Sequence, residues 1–137
     1  MRGASAIQEA FERVPGAHAR ALIIWEPMLT TDWSRPGSGV LSRARDSRAT
    51  QFWDPEHLFA KELQRRMTGD PQHPQPRCCG EEEGIPWDMV LVYPAQSRWE
   101  KALPRAAFAD GAVYRVTLGI EKALAEALKD ARAVPAK

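Results

Sequence analysis

The chain has 137 residues, enough for one domain built around one core. Hydrophobic residues make up 44% and charged residues 27%, as in ordinary globular proteins. The net charge of +1 offers no field for nucleic acid or an anionic membrane. No apolar run approaches the roughly 20 residues a membrane helix needs. Residues 1–10 are polar and amphipathic, unlike a signal peptide, so a cytoplasmic location is expected.

Residues 3–14 place Ile7, Ala10, Phe11 and Val14 at helical spacing, and Pro15-Gly16 stops that helix. Residues 19–29 hold Ala21-Leu22-Ile23-Ile24-Trp25, a short continuous apolar run that suits a strand buried on both faces. Pro27 limits its far end. A Thr/Pro/Gly/Ser-rich loop follows, then a short helix over residues 40–45 and a second strand over 48–53. Asp54-Pro55-Glu56 reads as a helix start, with Asp at the N-cap and Pro in the first position. Leu58, Phe59 and Leu63 give that helix an apolar face, and Arg65 and Arg66 suit its last turn.

Residues 68–84 contain three prolines, two cysteines and an acidic triplet, and are expected to form a mobile loop. A strand is expected over 85–93, a short antiparallel partner over 98–101, and a closing helix over 113–128. Val113, Val116, Ile120, Leu124 and Leu128 lie on one side of that helix. Gly119 weakens its middle by about 1 kcal/mol relative to alanine. The alternation of helices and strands over a single domain, residues 1–137, predicts an α/β layered sheet.

Three segments carry a resemblance to the thioredoxin-like superfamily. Residues 21–29 resemble the strand after its first helix. Residues 48–58, with Gln51-Phe52-Trp53-Asp54, resemble an inserted strand and Asp-led helix. Gly84-Ile85-Pro86-Trp87 is similar to the segment that carries a cis-proline in thioredoxins, which makes Pro86 the candidate cis residue. The chain is also similar to small bacterial thioredoxin-like proteins. The resemblance implies kinship with thiol–disulfide oxidoreductases. The Cys-x-x-Cys pair would directly precede Gly3, where this sequence has Met1-Arg2, so no catalytic pair is carried over and redox inactivity is implied. The strand before the first helix is central in that fold. Its loss would leave the Ile23-Ile24 and Val90-Val92 strands without a ladder partner. Three outcomes are open: the sheet closes up, another chain supplies the strand, or the reading frame starts late.

Cys78 and Cys79 are the only thiols. A disulfide between neighbours would close a strained ring, and two reduced loop thiols are the plain reading. The functional reading is a catalytic or switching thiol pair, or a soft-metal site with His73, although the spacing departs from zinc motifs. Asp32-Trp33, Trp53-Asp54 and Trp87-Asp88 sit at strand ends and mark either a binding edge or core indoles beside capping aspartates. His18 and His57 have no signalled partner, and His57 is expected to be exposed. No cofactor motif stands out. The alternative to a redox relative is a non-catalytic binding or assembly module that pairs through its sheet edge with an unknown protein or a second copy.

Overall fold

A computed structural model describes residues 2–16, 18–74, 76 and 85–133, with the side chains of 128 and 130–133 left out. The protein is a mixed α/β structure with four helices and two small sheets among these residues. The elements run α1 (Arg2–Arg13), β1 (Ala21–Trp25), α2 (Ser38–Leu41), β2 (Ala49–Trp53), α3 (Leu58–Thr68), β3 (Met89–Val92), β4 (Phe108–Gly111) and α4 (Thr117–Ala133). A 3₁₀ turn, Val113–Arg115, leads into α4.

The sheets are separate. β1 pairs in parallel with β2, Ala21 level with Ala49 and Trp25 level with Trp53. β3 pairs antiparallel with β4, Met89 level with Gly111 and Val92 level with Phe108. The partner of β3 is therefore residues 108–111, not the segment 98–101 expected from sequence. Residues 98–101 hold no strand, and β4 was hard to foresee because Phe-Ala-Asp-Gly has little strand character.

One cluster unites helices and strands. Ala6, Ala10 and Phe11 of α1, Val92 of β3, Val113, and Ile120, Ala123 and Leu124 of α4 are buried together. Ala21 of β1, Val90 of β3 and Phe108 of β4 pack against this cluster. Two glycines permit close approach. A β-carbon at Gly3 would lie 3.1 Å from Asp88 Oδ1 and 3.2 Å from Val113 Cβ, so α1 starts tight against the turn before α4. Gly119 accepts the ring of Phe108 directly over α4.

Arg48 locks α1 to β2. Its guanidinium donates to the carbonyls of Phe11 (2.9 Å) and Val14 (3.2 Å) at the end of α1, and to both carboxylate oxygens of Asp46. It also lies 4.3 Å from the centre of the Phe11 ring. Orphan helix carbonyls are thereby satisfied by a cation, which the helix dipole favours.

α3 departs from the sequence expectation in two ways. Its N-cap is His57, in a left-handed conformation (φ 56°), and Asp54-Pro55-Glu56 form a turn before it. Its buried face is Ala60, Leu63 and Met67, whereas Leu58 and Phe59 remain exposed. Phe59 meets Trp99 edge-on at 5.6 Å.

Candidate functional site

The carboxyl ends of two adjacent parallel strands are the usual place for a site in an α/β sheet. Here the Asp54 amide donates to the Trp25 carbonyl at 2.9 Å, which brings the residues after β1 and β2 together. Glu26 leaves β1 at that point, and its Oε2 lies 3.2 Å from Nδ1 of His57. Both side chains are largely shielded, at 11% and 16% exposure. Burial pushes the Glu26 carboxyl above its ordinary value, the bond and charge of His57 pull it back, and the Asp54 charge adds to the rise. The left-handed backbone of His57, uncommon outside glycine, accompanies its approach to Glu26.

The neighbouring aspartates are engaged in capping. Asp54 accepts the amides of Leu58 (2.9 Å) and Phe59 (2.8 Å), the first free donors of α3. Asp32 accepts those of Met28 (3.2 Å) and Leu29 (3.0 Å) and closes a turn. The indoles are not core residues as a group. Trp33 is 86% exposed and Trp87 is half exposed, while Trp25 and Trp53 are partly buried. Trp25 Nε1 donates to Gln51 Oε1 at 2.9 Å, and Gln51 Nε2 donates to the carbonyls of Leu41 and Ala44. Gln51 thus fastens α2 to the first sheet.

A second feature lies along the strands. The Ala21 amide donates to Arg48 O, and Trp25 O accepts from the Asp54 amide, so Ala21, Ile23 and Trp25 turn their backbone groups toward β2. Alternation turns those of Leu22 and Ile24 to the opposite side. In β3, the Asp88 and Val92 carbonyls accept from Val113 and Ala107, so Met89 and Leu91 face away from β4. Among the described residues no strand pairs on either outward side. No residue of β1 is buried, and Leu22 is 67% exposed.

The sequence candidates fall as follows. Cys78 and Cys79 lie outside the described residues. His73 is buried, with Nδ1 2.9 Å from the Pro74 carbonyl and its ring tilted against Tyr93. Burial pushes the Tyr93 hydroxyl up to about 12. No group of three or more His, Cys, Asp or Glu able to hold a metal occurs among the described residues. The cis peptide bond there joins Gly111 to Ala112, and the bond before Pro86 is not cis. His18 is exposed, in an open groove of about 590 Å³ with Ala19, Arg20, Ser47, Arg48 and Thr50. His57, expected to be exposed, is instead paired with Glu26. Sequence reading missed that pair because the two residues are 31 apart and meet only through the β1–β2 register. No helix is long and apolar enough to cross a membrane among the described residues.

Comparison with protein-family models, with curated proteins and with solved structures found no match.

Proposed function

We propose that this chain is a thioredoxin-like α/β module that acts by binding another polypeptide, not by exchanging dithiols. The observation that carries the reading is β1. Ala-Leu-Ile-Ile-Trp has the composition of a strand covered on both faces and both edges, yet none of its residues is buried and, among the described residues, it pairs on one side only. The element order and the resemblance of residues 21–29 and 48–58 support the thioredoxin-like part. Support for the non-catalytic part comes from the sequence, in which the two cysteines are adjacent instead of two residues apart. A dithiol exchanger needs an attacking thiol and a separately placed resolving thiol.

Two measurements test this. Insulin reduction driven by dithiothreitol should run at the background rate, with and without the Cys78→Ser/Cys79→Ser substitutions. Turnover above background that disappears in the double variant refutes the reading. Calorimetric titration with extended peptides should show saturable binding, and no binding at any surface refutes it equally.

A further inference from the structure

The groove at the amino ends of β1 and β2 collects hydrogen-bond donors. It holds about 590 Å³ and is lined by His18, Ala19, Arg20, Ser47, Arg48 and Thr50, with no carboxylate among its described lining residues. Local backbone builds it. The Ala21 amide donates to the Arg48 carbonyl at 3.0 Å, which sets Arg20 beside the start of β2. The Ala49 amide donates to the Asp46 carbonyl at 2.9 Å, and that turn puts Ser47 at its corner. Ala21 packs on the central cluster, so alternation turns Arg20 and Leu22 to the other face, where Thr50 stands level with Leu22. Arg48 is committed elsewhere: its guanidinium holds the end of α1 and both carboxylate oxygens of Asp46, so the Asp46 charge is cancelled beside the groove. The other polar groups are exposed and uncommitted. The Arg20 guanidinium, the His18 ring and the hydroxyls of Ser47 and Thr50 make no hydrogen bond or ion pair among the described residues.

We propose that this groove binds a phosphate monoester through Arg20, His18, Ser47 and Thr50. The donor set selects the anion. The Arg20 fork supplies a pair of parallel N–H groups, the imidazole adds another, and each hydroxyl adds one more. A carboxylate, with two oxygens and about four lone-pair sites, cannot accept them all. The terminal oxygens of a phosphate monoester can, since there are three of them and each accepts strongly. Charge points the same way. The guanidinium is permanently positive, and no unpaired carboxylate of the lining opposes an anion there. The groove also falls within the span of about 300–1,000 Å³ usual for small-molecule sites, so the phosphate comes attached to a larger body. Ala19 is the single apolar residue of the lining, which suits a hydroxylated or peptide-like body better than an aromatic one. Two sources carry that chemistry, a small polyol phosphate and a phosphorylated side chain. The site is independent of the polypeptide-binding reading above, and the failure of either leaves the other standing.

The test is titration of the full chain with glycerol phosphate, a short phosphoserine peptide and acetate, followed by residue-resolved amide chemical shifts. Both phosphate probes should give saturable shifts at Arg20, Ser47 and Thr50, with a Kd of about 1 mM or tighter for the better one, and acetate should give none. Arg20→Gln should weaken binding about tenfold or more, because a charged, forked contact is lost. Thr50→Val keeps the shape of a strand residue and drops one donor, for a loss of about threefold. Arg35→Gln is the control: it removes the same charge from an exposed residue outside the groove lining and should leave the Kd unchanged. Thermal melts report the fold of each variant, and where Arg20→Gln fails to fold, Thr50→Val against Arg35→Gln decides. Tighter binding of glycerol phosphate names a small molecule as the source; tighter binding of the peptide names a phosphorylated protein. Four results overturn the proposal: no saturable shift at about 10 mM of either phosphate probe, shifts that lie away from the groove, acetate binding as tightly as phosphate, or equal weakening by Arg20→Gln and Arg35→Gln, which marks diffuse charge attraction.

Discussion

Gly119 is a test of how the second sheet meets α4. Helix propensity alone says that Gly119→Ala stabilises the protein by up to about 1 kcal/mol. The structure reverses the sign. A β-carbon at 119 would fall 2.5 Å from Cζ and 2.6 Å from Cε2 of Phe108, against ordinary contacts of 3.4–4 Å. The ring must retreat by about 1 Å to regain contact distance. Phe108 packs against the central cluster and stands opposite Val92 in β4, so its retreat disturbs the contact between sheet and helix. Overpacking of this kind costs about 1–3 kcal/mol. Set against the propensity gain, Gly119→Ala should lose about 1 kcal/mol net, a fall in Tm of roughly 3 °C for a chain of this size. In a Phe108→Leu background the clash is gone, and the same change should become neutral or mildly stabilising. Urea unfolding of the four proteins in this cycle gives the coupling directly. If Gly119→Ala alone raises stability by the full propensity increment, with no coupling to position 108, the packing argument fails.

Three further predictions concern charge. Arg48→Ala removes the donors to Phe11 and Val14 and should destabilise by about 1–2 kcal/mol in urea melts; Arg48→Lys should restore little, because an ammonium cannot make the forked contact. In acid, Asp46 is held down to about 2 by Arg48, and Glu62 to about 2 by Arg65 and Arg66. A depressed carboxylate stabilises the fold above its unfolded value and loses that contribution as pH falls through its folded value. Stability should therefore drop between the ordinary values of 3.8 and 4.5 and about pH 2. Glu26 acts in the opposite sense. Its raised value makes the folded state hold a proton longer, so stability declines as pH rises from 4.5 through that value. Glu26→Gln should remove this second slope and leave the first, in melts recorded across the pH range.

Where the sequence was legible, local physics decided the outcome. The helical spacing of Ile7, Ala10, Phe11 and Val14 marked α1, and the apolar run Ala21–Trp25 marked β1 to the residue. The order of helices and strands followed from the same signals. What failed was long-range. Phe108–Gly111 is a strand because Val92 and its neighbours lie beside it, not because of its own composition. Leu58 and Phe59 looked like core but stand exposed in the first turn of α3, whose buried residues are Ala60, Met67 and the expected Leu63. Asp54 was legible as a cap, and the structure moves only its distance from the helix. The Glu26–His57 pair depended on the register of two strands, and Arg48 on the meeting of a helix end with a strand start; neither is a local property.

The open side of β1 also bears on how much of this chain a cell can hold. Natural edge strands are usually blunted by lysine, proline or a bulge. Within Ala21–Trp25 there is no charge and no proline, and every residue after the first is β-branched, aromatic or leucine. Such a stretch, left unpaired, is also suited to stacking on copies of itself into cross-β fibres. Molecules at high concentration carry, in five residues, a stretch of this composition.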